Sequence, residues 1–200
     1  MSDPSKGGTR CFGDGDPLYA RYHDEEWGRP VVDEHGLYER VSLEGFQSGL
    51  SWLTILRKRE AFRAAFAGFD PERVATYDED DVERLLADAG IVRNRQKIEA
   101  TIANARVILA LRAKDTPFEA LVLSHLPPER AAAPVSFADV PGSTPESTAL
   151  AKALRKNGFR FVGPTTAYAL QQAVGHVNDH LARCPVRDDV ERERARVLRA

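Results

Sequence analysis

Apolar residues in this chain recur at spacings of three and four, and hardly anywhere in alternation. Such spacing lines one face of an α-helix, whereas a half-buried strand needs a period of two. The stops and starts agree. Asp16-Pro17 reads as an N-cap with proline at the first helical position, opening a helix through Trp27 that Gly28-Arg29-Pro30 ends. Asp33 caps a second helix toward Gln47, and Ser51 to Ala67 forms a third with Leu53, Leu56, Phe62 and Phe66 at helical spacing. Asp70-Pro71-Glu72 and Asp78-Glu79-Asp80 open two more, the latter reaching Ala89 before Gly90. Asn94 to Ala113 is a long helix with Ile98, Ile102, Ala105 and Leu109 on one stripe. Residues 127–145 hold five prolines and read as a loop. Helices resume over 146–157, 164–174 and 188–198. The chain reads as all-α, and its 200 residues with 42% apolar content suit one large domain or two lobes around a shared core.

Charge is unevenly placed. The net charge is −2, yet residues 151–178 carry Lys152, Arg155, Lys156 and Arg160 and no acid. Within that stretch, Lys156-Asn157-Gly158-Phe159-Arg160-Phe161-Val162-Gly163-Pro164-Thr165-Thr166 reads as two helices joined by a tight glycine-bounded hairpin. Main-chain N–H groups at such a hairpin and the following helix start can hold phosphates. A weakly acidic total excludes a protein that coats nucleic acid, but not one that touches it on one face. No run approaches the ~20 apolar residues of a membrane helix. The first residues lack the apolar core of a signal peptide. Two cysteines cannot build a disulfide framework, and a cytoplasmic location is expected.

Those cysteines have histidines near them. Cys11 is followed by His23, and His180 with Cys184 forms an i, i+4 pair. Two Cys and two His make a full tetrahedral zinc set, closed to water and therefore structural. The same spacing fits two small buried hydrophobes with helix-capping histidines. His35, His125 and His176 have no cysteine partner and read as surface or helix-end residues.

Glu44 shares a helical face with Leu37, Val41 and Ser48, which would aim its carboxylate inward. A shift of the stripe by one residue instead leaves it solvated, and charged residues in general favour that alternative. Tyr22, Trp27 and Trp52 serve equally as core or as a stacking box. Gly45 and Gly49 lie unfavourably inside a helical stretch; close approach of a ligand or another backbone would account for them.

The segment from Asp16 to Gly28 resembles bacterial 3-methyladenine DNA glycosylase I. So do Leu43-Glu44-Gly45, Gly49-Leu50-Ser51-Trp52, Asp88-Ala89-Gly90-Ile91, Gly158 to Gly163 and Val177-Asn178-Asp179-His180. The likeness runs from about Cys11 to Cys184 with the motifs in order. It implies a two-lobed helix-hairpin-helix glycosylase domain over residues 11–185, with its hairpin near 154–175. A disordered start would cover 1–10 and a helical tail 186–200. It also implies a structural zinc on Cys11, His23, His180 and Cys184. By the same resemblance Glu44 hydrogen-bonds the methylated base and serves catalysis, while Tyr22 and Trp52 stack on the base. Gly158, Phe159, Arg160, Phe161, Val162, Gly163 and Thr165 grip DNA, and Leu50 fills the gap left by a flipped nucleotide. The implied activity is monofunctional excision of 3-methyladenine from double-stranded DNA, by a monomer, leaving an abasic site. The chain departs from the family at Gly13, where some members place a tryptophan, and at Phe46, where a glutamine can occur. A thinner aromatic wall is expected. The rival reading is a noncatalytic, zinc-stabilised DNA-binding module that uses the hairpin alone. A zinc hydrolase ranks last, because a His-Glu-x-x-His pattern is absent.

Overall fold

The computed structural model describes residues 9–130 and 132–198, and among them there are helices and no strands. The helices are α1 (Pro17–Glu25), α2 (Glu34–Gln47), α3 (Trp52–Ala65), α4 (Pro71–Ala75), α5 (Glu79–Ala87), α6 (Arg95–Arg112), α7 (Phe118–Leu123), α8 (Pro145–Lys156), α9 (Pro164–Ala173) and α10 (Arg187–Leu198). The starts follow the capping logic. Asp16, Asp33, Ser51, Asp70, Asp78, Asn94 and Thr144 each accept a main-chain N–H of the first turn. Each such cap stabilises its helix by about 1 kcal/mol.

Helix ends differ from expectation by a residue or two, and α7 was not expected at all. Phe118 and Val122 bury one side of that single short stretch, which is too brief to show a helical period. Among the described residues of the proline-rich loop there is one 3₁₀ turn, Phe137–Asp139. On α6 the inward stripe runs through Ile108 and not Leu109. The expected disordered start falls on residues outside the described ones up to residue 8; Arg10 is tied to Asp24 by bonds of 2.8–3.0 Å.

One aromatic column, Phe46, Phe62, Phe66 and Phe69, packs ring on ring through the core. Helix α2 packs against α3, α6 and α9, while α8 packs on α9. The C-terminal segment is stitched back onto the start of the chain. Gly28 N donates to Gln172 O at 3.1 Å and Val31 N to Val174 O at 3.1 Å. Gly175 sits at φ +71°, where an added Cβ would come within 2.6–2.7 Å of the backbone of residues 28–30. No side chain fits between those two backbones.

The expected helical tail packs onto the body: α10 buries Val190 and Arg194, and Arg194 donates to Gly175 O at 2.6 Å and His176 O at 2.9 Å. His176 corrects its surface assignment: it is 1% exposed with neither ring nitrogen partnered. Burial, and then Arg194, push its pKa down to about 4. Among the described residues, no helix is long and apolar enough to cross a membrane.

Candidate functional site

The last turn of α2 and the first residue of α3 face α1 across a cleft of about 370 Å³. Tyr22 comes from α1, Glu44 and Gln47 from α2, Trp52 from α3 and Gln172 from α9; Phe12 closes one side. The rings of Tyr22 and Trp52 are 5.3 Å apart and tilted by 43°. Phe12 stands 4.7 Å from Tyr19 and 5.0 Å from Trp27. The inward alternative for Glu44 is the one realised: it is 6% exposed and lines this cleft. Helix α2 packs against α3, α6 and α9, and its buried residues run from Leu37 through Glu44 to Phe46. Burial raises the Glu44 pKa to about 8 despite the opposing charge of Arg40. Burial, and then the nearby Glu44, hold the Tyr22 hydroxyl well above its ordinary range.

The Glu44 carboxylate, open to the cleft, makes no hydrogen bond to a described residue, and the buried Trp52 Nε1 has no acceptor. Leaving a buried group such as the Trp52 N–H unpaired costs about 1–3 kcal/mol. An apolar, aromatic cleft with one unpaired acceptor and one unpaired donor is suited to a flat heteroaromatic ligand. A cation is favoured over a neutral ring, because it meets both the electron-rich ring faces and a carboxylate.

The thinner wall expected at Gly13 and Phe46 is not found. Gly13 has φ +94°, and a Cβ there would lie 2.8–2.9 Å from the α1 backbone at Tyr19 and Ala20, so no tryptophan fits. The neighbouring Phe12 supplies the ring. Phe46 points away from the cleft, with its ring 4.6 Å from Phe62. The sequence carries no flag for Phe12, Gln47 or Gln172. The one available hint for Phe12 is that anything joining Cys11 to His23 must lay it on α1.

From Glu44 and Gln47 a groove of about 340 Å³ runs past Ser48, Gly49 and Leu50 to Thr165 at the start of α9. Gly49 adopts φ +84° and ends α2, which leaves Leu50 41% exposed at the tip of the turn. Lys97 holds that turn from behind, donating to Phe46 O at 2.8 Å and Ser48 O at 2.7 Å. The segment between α8 and α9 borders the same region. Phe161 there has φ +55° and is 40% exposed, and Arg160 is exposed. Phe159 and Val162 turn inward, Phe159 stacking on Phe118 at 5.0 Å. Their side chains anchor the segment, so what it presents outward is main chain, Arg160 and Phe161. Asn104 clamps it, accepting from Arg160 N at 2.8 Å and donating to Arg160 O at 3.2 Å. Gly45 is where α2 meets this segment: a Cβ there would touch Phe161 at 3.6 Å.

Cys11, His23, His180 and Cys184 converge behind Phe12, with one donor atom from each within 4.8 Å of the others. Cys184 Sγ lies 3.3 Å from His180 Nδ1 and 3.5 Å from His23 Nε2, and Cys11 Sγ lies 3.7 Å from His180 Nδ1. Tetrahedral zinc with Zn–S of about 2.3 Å and Zn–N of about 2.0–2.1 Å sets such edges at about 3.3–3.8 Å. The outer nitrogens are engaged: His23 Nδ1 with Asp24 Oδ1 at 2.8 Å, and His180 Nε2 with Trp27 O at 2.9 Å. Those partners fix the tautomers that point the remaining nitrogens inward. The hydrogen bond between the two thiols, the largest cause for each, pushes Cys184 below and Cys11 above the ordinary thiol range, so that the pair shares one proton.

The sequence model of the methyladenine glycosylase family matches residues 12–188. The chain belongs to that family. DNA-3-methyladenine glycosylase 1 of Escherichia coli is 51% identical over 172 residues, covering 84% of this chain and 91% of that protein. The DNA-3-methyladenine glycosylase of Haemophilus influenzae is 42% identical over 179 residues, covering 88% and 97%. Among solved structures, a 3-methyladenine DNA glycosylase I superposes with a TM-score of 0.85 at 49% identity, covering 88% of this chain and 98% of that one. A tyrosine-to-phenylalanine variant of a 3-methyladenine DNA glycosylase I, solved with 3-methyladenine bound, superposes at 0.83 with 35% identity, covering 88% and 96%. The resemblance read from the motifs is therefore the family relation itself.

Proposed function

We propose that this methyladenine glycosylase excises 3-methyladenine from alkylated double-stranded DNA and leaves an abasic site. The observation that carries this is Glu44: a buried, unpaired carboxylate among Tyr22, Trp52 and Phe12, at the inner end of a groove whose outer lip is Leu50.

A base stacked in a duplex cannot reach that cleft and has to be rotated out. The N–H groups of Phe161, Val162 and Gly163 and that of Thr165 in the first turn of α9 grip phosphates without reading sequence, those of Gly158, Phe159 and Arg160 being engaged within the protein. This is the helix-hairpin-helix role expected of α8 and α9 in a two-lobed domain. Leu50, apolar and projecting, fills the space the base vacates. Inside the cleft, Tyr22 and Trp52 stack on the alkylated purine, whose positive charge strengthens the contact. Glu44 supplies a negative charge and a hydrogen-bond acceptor, so a neutral, undamaged base gains less. The C1′–N9 bond breaks with its electron pair going to the base, which leaves as a neutral molecule. Water bonds to C1′ and loses its proton to solvent. Such a leaving group needs no strong acid behind it. Strand cleavage through a Schiff base is not expected, because the residues lining the cleft and the groove include no lysine.

Cys11, His23, His180 and Cys184 would hold a structural zinc, with no ligand position left for water. Its contribution is to join the segment before α1 to the segment before α10, and so to seat Phe12. The enzyme is proposed to act as a cytoplasmic monomer.

Alkylated duplex DNA treated with the protein and then with an aldehyde-reactive probe tests the reading. Abasic sites should accumulate with the wild type and fall by about a hundredfold or more with folded Glu44→Ala. Tight DNA binding that forms no abasic sites and is indifferent to Glu44→Ala would establish the noncatalytic DNA-binding module instead.

A further inference from the structure

Gln172 on α9 lines the base cleft, and its side chain is held from behind. Its Nε2 donates to Asp179 Oδ2 at 2.9 Å. Asp179 is wholly buried and is fixed in turn by Tyr168, whose hydroxyl donates to the same oxygen at 2.6 Å. Arg130 lies 3.1 Å from Asp179 Oδ1 as an ion pair off the hydrogen-bond axis, and its Nη2 donates to the Tyr168 hydroxyl at 3.1 Å. The main chain of Gln172 is pinned as well, its carbonyl accepting Gly28 N.

This arrangement decides which end of the amide faces the cleft. A carboxylate has no proton to give, so the NH₂ end of Gln172 must be the one on Asp179. The carbonyl end, Oε1, is then the other end of the amide, and no hydrogen bond from a described residue reaches it. Gln47, the other glutamine of the cleft, makes no such bond and can turn either way.

We propose that Gln172 is a specificity-determining residue: a pre-oriented acceptor that, with Glu44, selects a base carrying an exocyclic amine at position 6 over one carrying a carbonyl there. Two acceptors suit the two N–H groups of the adenine amine. The 6-oxo group of a guanine or hypoxanthine is itself an acceptor and meets them lone pair to lone pair. A site that leaves its buried polar groups unmatched rejects the wrong ligand far better than an apolar wall does. Asp179, Tyr168 and Arg130 are positioning residues, acting on the base only through the Gln172 amide.

The inference rests on the glycosylase reading, and the test separates the two. Tryptophan fluorescence of the wild type is titrated with free 3-methyladenine and free 3-methylhypoxanthine, then repeated with Gln172→Met and Gln172→Leu. The wild type should bind the 6-amino base more tightly by about tenfold or more. The variants should lose about tenfold toward 3-methyladenine and little toward the 6-oxo base, closing most of that gap. An equal loss for both bases would give Gln172 a merely structural role and overturn the inference. So would a wild type that binds the two bases alike, which needs no variant to fold. Binding of neither base would sink the glycosylase reading itself.

Discussion

Glu44 couples stability and function through one carboxyl group. Its pKa is raised from an ordinary 4.5 to about 8 by burial, so the folded protein binds a proton there that the unfolded chain has lost. A raised acid contributes no penalty below about pH 4.5; the penalty grows between about pH 4.5 and 8 and is full above about 8. Glu44→Gln should therefore melt higher than the wild type, with a larger gain at pH 9 than at pH 5, as differential scanning calorimetry can check. The chemistry runs the other way. Carboxylate, not acid, favours a cationic base, so kcat/KM for base release should rise with pH through about 8 in the wild type. Glu44→Gln should lie about a hundredfold lower and lack that rise. A flat wild-type profile would remove Glu44 from its charge-pairing role. The sequence could name Glu44 as a candidate but not decide its orientation, because a rotation of α2 by one residue reverses it. The Gly13 position was misleading for a related reason: its meaning lies in a φ of +94° and a backbone 2.8 Å away, neither visible in the letters.

Helices and their turns were the most legible level. Capping residues and prolines mark where most helices begin, because each cap satisfies N–H groups that are otherwise orphaned. The short α7 was hidden, its two buried side chains giving no period to read. What the turns do depends on supports far away in the chain. Asn104 on α6 holds the α8–α9 segment by both its amide atoms, and Lys97 on the same helix holds the α2–α3 turn. Asn104→Ala leaves the Arg160 main chain unpaired, and a loss of about 1–3 kcal/mol in stability is expected. Its affinity for duplex DNA should fall several-fold while titration with free 3-methyladenine stays near wild type, since the cleft lies elsewhere. Equal weakening of both would mean that the segment and the cleft are one unit.

The whole molecule closes by bringing its two ends together, at the Gly28–Gly175 contact and at the Cys11, His23, His180, Cys184 cluster. Sequence spacing showed the two Cys–His pairs, but not that they meet, since a separation of well over a hundred residues carries no geometric information. Gly175→Ala should be among the most damaging small substitutions, because its Cβ has only backbone to displace; a drop in melting temperature of roughly 5–10 °C is expected. Plasma emission spectroscopy should find one zinc per chain. Stripping it should lower the melting temperature and weaken base binding together, because Phe12 follows directly on Cys11. Loss of activity with stability unchanged would point instead to a metal that takes part in the reaction. The central claim concerns the product. Alkylated duplex DNA is incubated with the purified protein and the released bases are identified by mass, with Glu44→Gln alongside. The account predicts free 3-methyladenine from the wild type, little from a folded Glu44→Gln, and intact DNA strands before alkali. A folded wild type that releases no base would contradict it.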